Sequence, residues 1–218
     1  MSTAFLFNNK MMKYGTHVMG ISSSPTPPGP TIPSVTIGNQ VWMSENLAID
    51  DGGDDIYIKQ VSANGVDFGT QYYYSPAAAQ RVAATVTGWH LPSKAEWETL
   101  LANFNTGNSA LIALSSTTGW TDSTYTMTNS SGFTGLPVDC GSWISEWPPD
   151  VNVKWPGNDA EFASSTPVNT WYGTYSDCYT MRLNNGPYQT AYSAYINDDC
   201  WYDRYEGGVV VSVRLIKD

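Results

Sequence analysis

Apolar and polar positions change rhythm along this chain, and each rhythm predicts its own kind of element. From Val35 to Met43, β-rich runs flank Gly38-Asn39, which reads as a hairpin. Between Ser75 and Phe104 the spacing turns helical. Ser75-Pro76 offers an N-cap and a first-turn proline before Ala77-Ala78-Ala79-Gln80-Arg81-Val82. Ser93 and Glu96 then form a capping box, and Trp97, Leu100, Leu101 and Phe104 recur at i, i+3, i+4 and i+7, a stripe that reads as core. After Asn105 the pattern breaks into short β-like pieces punctuated by Gly, Pro, Thr and Ser, and no further helix is expected. The chain closes on Val209 to Ile216. It is apolar on both sides of its alternation, Val209, Val211, Val213 and Leu215 against Val210 and Ile216, so it is predicted to lie centrally in a sheet. An early hairpin, two helices, long loops and a central closing strand make an α+β domain.

Proline divides the chain. Residues 22–34 carry Pro25, Pro27, Pro28, Pro30 and Pro33 with no core-forming period, and read as a semi-rigid linker. It separates a head, residues 1–21, from a main domain over 35–218. In the head, Phe5-Leu6-Phe7 and Lys13-Tyr14 flank Asn8-Asn9, with a second turn at Tyr14-Gly15-Thr16. Such a segment is too small to fold alone, so it is expected to anchor or oligomerise the protein; the alternative is a disordered tail. Asn8, Asn9, Lys10 and Lys13 interrupt any signal-like apolar run, and no stretch approaches the ~18 apolar residues of a membrane span. A protein released by lysis or carried on a virion is the expectation.

Composition narrows the function classes. Charged residues are 14% of the chain, against about 25% in typical globular proteins. Aromatics, Gly, Ser, Thr and Asn fill the gap, as in loop-rich extracellular or virion proteins. A net charge of -10 with scattered basic residues argues against a nucleic-acid partner. Catalytic signatures are absent: there is no Gly-x-Ser-x-Gly, HExxH, phosphate loop or Cys-x-x-Cys. His90 reads as a hydrogen-bonded core residue rather than a base. Asp50-Asp51-Gly52-Gly53-Asp54-Asp55 lacks the alternating ligands and distal Glu of a calcium loop and reads as a solvated turn. Cys140, Cys178 and Cys200 have no metal-type spacing, and none is expected to be structural. No catalysis, no metal and no cofactor is the resulting expectation.

The Tyr-rich tail is the strongest functional signal. Between Asn169 and Glu206 lie eight of the fourteen tyrosines, mixed with Ser, Asn and Asp. Tyr supplies rigid contact area and a hydroxyl at low entropic cost, and short polar side chains supply adaptable hydrogen bonds, which is paratope chemistry.

Several strings resemble a known family. Ile37-Gly38-Asn39-Gln40-Val41-Trp42-Met43-Ser44-Glu45-Asn46-Leu47 comes first, then Gly88-Trp89-His90-Leu91-Pro92-Ser93 with Glu96-Trp97. Gly132-Phe133 with Leu136-Pro137, Ser164-Ser165-Thr166 and Ser212-Val213-Arg214 follow in order. Together they resemble the Fibrobacter succinogenes major paralogous domain, which implies a C-type lectin-like fold. The tail also looks like the variable proteins of diversity-generating retroelements, in which adenine-directed mutagenesis rewrites Asn-type codons. Such codons reach Tyr, Asn, Asp, Ser, Thr, Cys, Ile and Gly, but not Trp or Gln. The resemblance therefore implies diversified ligand-binding positions at Asn169, Tyr172, Tyr175, Ser176, Asp177, Tyr179, Tyr188, Tyr192, Ser193, Tyr195, Asn197, Asp198, Asp199, Tyr202, Asp203 and Tyr205. Trp171, Trp201 and Gln189 then count as scaffold, Gly207 to Asp218 as the constant end, and Cys178 and Cys200 as products of diversification. Family members often pair a cysteine before the Gly-Trp-His-Leu-Pro string with one in a terminal Val-Arg-Cys; Val86-Thr87 and Leu215 stand there here, so no such staple is implied. The Glu-Pro-Asn and Gln-Pro-Asp loops of calcium lectins are missing, and calcium-independent binding is expected. The implied protein is a phage tail or fibre adhesin on a virion, a homo-oligomer binding a bacterial surface protein or glycan and held to other virion proteins by residues 1–21. A bacterial surface module with a fixed ligand and a structural virion decoration protein are the alternatives.

Overall fold

The computed structural model describes residues 5–7, 10–12, 32–53, 55–121, 124–138, 141–144, 150–153, 156–168, 178–185, 193–197 and 209–218. Contacts divide the chain into two units, residues 1–31 and 32–218. In the first, β1 (Phe5–Phe7) and β2 (Lys10–Met12) pair antiparallel with Phe5 opposite Met12. The strand after Asn8-Asn9 is thus Lys10–Met12; Lys13 and Tyr14 lie outside the described residues.

The second unit opens with the predicted hairpin, β3 (Ser34–Ile37) and β4 (Gln40–Met43). Gly38 takes φ +59, which suits a turn with glycine at its first central position. A longer hairpin follows, β5 (Ile56–Ala63) and β6 (Val66–Tyr74), turning on Asn64 (φ 50) and Gly65 (φ 78). Helix α1 (Pro76–Ala83) starts on the Ser75 cap and α2 (Lys94–Leu101) on the full capping box of Ser93 and Glu96. Between them sits β7 (Trp89–His90).

A third helix, α3 (Gly107–Leu114), corrects the expectation of none after Asn105. Gly107 and Asn108 are poor helix formers, costing up to about 1 kcal/mol each relative to Ala. Ala110, Leu111, Ala113 and Leu114 are buried, the two leucines completely. Each buried leucine contributes roughly 1.5–3 kcal/mol, so packing outweighs propensity. The one local signal is Thr106, whose hydroxyl accepts from Ser109 N at 3.1 Å.

The remaining strands are β8 (Gly141–Ile144), β9 (Asp150–Val153), β10 (Asp159–Pro167), β11 (Cys178–Asn184), β12 (Ser193–Asn197), β13 (Val209–Val210) and β14 (Ile216–Lys217). They form small sheets ordered β10-β11-β12, β13-β8-β9 and β3-β4-β14-β7, beside the β5-β6 pair. With three helices, the described residues make an α+β domain. The closing segment threads the sheets together. Val211 exchanges hydrogen bonds with Tyr74, Ser212 with Glu161 and Ala163, and Val213 O and Leu215 O accept from Leu47 N and Met43 N. Ile216 lies between Trp42 and His90, and residues 210–216 are all buried. The largest core cluster stacks Trp42 on Trp97 (centroids 4.5 Å apart), with Phe133 and Phe162 edge-on to each other at 5.5 Å.

Candidate functional site

The sheet β10-β11-β12 has two unlike faces. Ala160, Phe162, Met181, Leu183, Ala194 and Ile196 alternate into the main core, against α2 and α3. The intervening positions are polar except Ala163, which pairs with Thr180 and is buried in a second core cluster. Asp159 is opposite Asn184 and then Ser193; Glu161 is opposite Arg182 and then Tyr195; Thr180 is opposite Asn197. A period-2 strand places these rows on one side.

That side carries a buried charge cluster. Arg182 Nη2 donates to Asp159 Oδ2 at 2.6 Å, with the two side chains 13% and 5% exposed. Thr180 donates its hydroxyl to Glu161, and Arg182 hydrogen-bonds the Tyr195 phenol. Burial alone would lower Arg182, but Glu161 and Asp159 outweigh it and hold the guanidinium above its ordinary range. For Asp159 burial wins over Arg182, and its carboxyl is raised. Burial also raises Tyr195. Among the described residues, Asp159 Oδ1 and Arg182 Nε find no hydrogen-bond partner. Among the described residues no group of three or more His, Cys, Asp or Glu is placed to hold a metal ion.

The predicted binding residues separate on this frame. Tyr195 lies in the charged row. Tyr179 has the parity of Met181 and Leu183 and meets α2 instead, with Lys94 Nζ 4.4 Å from its ring centroid. Ser193 and Asn197 occupy register positions in the polar rows. Asn169, Tyr172, Tyr175, Ser176, Asp177, Tyr188, Tyr192, Asp198, Asp199, Tyr202, Asp203 and Tyr205 lie outside the described residues, as do Cys140 and Cys200; Cys178 is buried on β11.

A second cluster explains the sequence strings. Arg214 is completely buried and donates through Nε to Asn46 Oδ1 (2.7 Å), through Nη1 to Met43 O (3.1 Å) and Phe133 O (2.5 Å), and through Nη2 to Thr134 O (2.8 Å). Its guanidinium lies 4.7 Å from the Phe133 ring centroid. Turning two successive carbonyls onto one guanidinium bends the backbone, and Thr134 takes φ +55, uncommon for a β-branched residue. Asn129 holds that turn, accepting from Thr134 N at 2.8 Å and donating to its hydroxyl at 2.9 Å. The strings around Asn46, Phe133 and Arg214 thus meet at one point. A model of the Fibrobacter succinogenes major domain matches residues 35–217. The chain belongs to this family. No curated protein and no solved structure matches the chain.

The family strings therefore mark a scaffold joint as well as chain order. A cleft of about 350 Å³ adjoins it, lined by Ser44, Asn46, Gln71, Tyr72, Leu136 and Arg214 among others. Its polar floor is engaged internally, with Asn46 Nδ2 reaching Gln71 Oε1 (3.3 Å) and Ser212 Oγ (3.4 Å).

Two further expectations are refined. His90 is hydrogen-bonded but not core: its side chain is 42% exposed, between Glu96 and Asp218. The acidic loop is organised by Arg81, which reasoning along the sequence missed. Arg81 Nε meets Asp51 Oδ2 at 2.6 Å and Nη2 meets Asp55 Oδ1 at 2.7 Å. Glu161, Arg182 and Asp159 were missed too. Their signal was charged and apolar residues in alternation, Asp159-Ala160-Glu161-Phe162 on β10 and Met181-Arg182-Leu183 on β11.

Proposed function

We propose that this protein binds ligands through a diversified, Tyr-rich surface on a C-type lectin-like scaffold, as a phage tail or fibre adhesin that contacts a bacterial surface protein or glycan. The observation that supports this reading most is the two-faced sheet. One face of β10-β11-β12 is locked into the core, while Ser193, Tyr195 and Asn197 fall on its polar rows; Tyr179, alone among the described candidates, has the core-side parity. Twelve of the sixteen come after β10, β11 or β12 in sequence and lie outside the described residues. Connections tolerate substitution without disturbing the ladder, so such a frame can keep its fold while its contacts change.

Tyrosine anchors would be buried against the ligand, with Ser, Asn and Asp tuning hydrogen bonds. Several copies on one particle would multiply a weak single-site affinity, and residues 1–21 would hold the copies to other virion proteins. No step of this function requires catalysis or a cofactor. A fixed-ligand bacterial surface module is the second reading, favoured by the tie between Tyr195 and Arg182, which restricts what position 195 can become.

Deep sequencing of the gene from a propagating population separates the two. Diversification predicts substitutions concentrated at adenines in codons 169–205, with codons 207–218 and the core positions Phe162, Met181 and Leu183 unchanged. Variation spread evenly along the gene would remove the diversified reading and leave the fixed-ligand one.

A further inference from the structure

The family string Gly88 to Trp97 builds an ionic link between two distant parts of the fold. His90 Nδ1 lies 2.7 Å from Asp218 Oδ1, and Nε2 lies 2.8 Å from Glu96 Oε1. Ionised carboxylates only accept, so both ring nitrogens keep a partner only when both carry hydrogen, that is, as imidazolium. Glu96 does double duty. Its other oxygen accepts from Ser93 N at 2.7 Å and Ser93 Oγ at 2.8 Å, closing the capping box of α2. Asp218 follows β14, whose Ile216 and Lys217 pair with His90 and Trp89, and Asp218 N donates to Gly88 O at 3.1 Å.

We propose that His90 is a pH-sensitive latch: protonated, it ties the end of the C-terminal strand to the first turn of α2, and deprotonated, it releases one of the two. The same turn begins with Lys94, whose ammonium sits over the Tyr179 ring and whose backbone N donates to Thr166 Oγ1 at 2.9 Å. The latch stands without any ligand; its consequence for Tyr179 as a binding residue rests on the function proposed above.

Few charges other than these two carboxylates could drive the switch. Strand β4 contains no ionisable residue, and register puts Lys217 on the face opposite His90. On α2, Lys94 pairs with Glu98 at 3.6 Å. Partial burial lowers His90, but its hydrogen bonds to Glu96 and Asp218 outweigh that and raise the imidazole above 6.5. The sign follows from that direction. The latch contributes fully below about pH 6.5, the ordinary histidine value, and is lost as pH rises through the higher folded value.

The test is an NMR titration of the full chain, following the His90 ring and the Tyr179 ring carbons, alongside thermal melts of wild type, His90→Gln and Asp218→Asn. The expected result is a His90 midpoint above 6.5, lowered in D218N, with the Tyr179 resonances moving at the same midpoint. At pH 6, H90Q melts about 2 °C below wild type, and the gap closes at alkaline pH. Comparison with H90Q removes the contribution of His17. A midpoint at or below 6.5, unmoved by D218N, overturns the latch. A latch that titrates as expected while Tyr179 stays still overturns only its link to the binding face.

Discussion

A fully buried arginine and a largely buried one show how one residue type serves different ends. Arg214 has no carboxylate within ion-pairing distance among the described residues. Carbonyls, one amide oxygen and the faces of Phe133 and Phe162 surround it instead. Its neighbours meet its needs so closely that it has become part of the frame. Burial pulls its guanidinium down to about 9, still charged at neutral pH. Arg182 sits between Asp159 and Glu161 on the polar face, where among the described residues Arg182 Nε and Asp159 Oδ1 find no hydrogen-bond partner. A satisfied cluster holds a fold in one conformation, whereas a partly satisfied one retains capacity for water or a ligand.

The largest effect is expected from breaking the first cluster. Arg214→Lys keeps the charge but cannot reproduce a planar fork reaching Asn46, Met43, Phe133 and Thr134 together. It should cost about 3–5 kcal/mol, lowering the urea midpoint with little change in slope. A loss under about 1 kcal/mol, the scale of a single ordinary hydrogen bond, would show that these bonds do not hold the frame.

Arg182→Met comes next, at about 2–3 kcal/mol near neutral pH, because two buried carboxylates lose their cation. Here pH gives a sign that the first variant lacks. Asp159 is already raised by burial, so its ionised form weakens the fold as pH rises through that higher value. Without Arg182 the penalty grows, and protonation removes it. The melting gap between wild type and R182M should therefore narrow as pH falls toward about 4, the ordinary carboxyl range. A gap that widens would contradict the cluster as described.

What the sequence disclosed follows the same division. Helix α1, helix α2 and the Gly38 hairpin declared themselves because caps and turns are local chemistry at fixed offsets. The closing segment was legible as buried through apolar residues on both of its faces, but it runs as two short strands rather than the single central one expected: β14 lies inside its sheet and β13 at the edge of another. Helix α3 did not, since its stability comes from Leu111 and Leu114 meeting β12 and β11 across long sequence separations. The β5-β6 hairpin is legible in Asn64-Gly65, the strongest kind of short hairpin signal. For the candidate face, Tyr enrichment marked the window, but Arg182 inside it and Asp159 and Glu161 before it needed the register to be joined. No spacing rule brings residue 159 beside 182 and 195.

Tyr195→Phe sharpens the comparison at lower cost. Losing one hydroxyl bonded to Arg182 should cost about 0.5–1.5 kcal/mol. The spectroscopic consequence is more specific. Burial raises the Tyr195 phenol above the ordinary value of 10, so the absorbance lost in Y195F should come from the late-ionising part of an alkaline titration. If Y195F instead removes an early-ionising tyrosine, Tyr195 is not held in the cluster.

The smallest effect belongs to a third arginine, which separates pairing from burial. Arg81 is also clasped by two carboxylates, Asp51 and Asp55, at distances like that between Arg182 and Asp159. Its side chain is 43% exposed, however, so solvent screens the pair and its net contribution is small. The hydrogen bond from Arg81 is the largest influence on each carboxyl, and both are held below their ordinary 3.8. Groups depressed in this way support the fold above that value and lose their contribution as pH falls through the lower folded one. Arg81→Ala should therefore barely move the melting temperature at pH 7, and any gap should vanish at acid pH and in high salt. The local signature is faster amide exchange at Gly52 and Gly53, whose N–H groups donate to Asp50 and Asp51 at 2.8 and 3.0 Å. Should R81A destabilise as much as R182M, burial would not be what distinguishes the two arginines, and the buried cluster would lose its claim to be special.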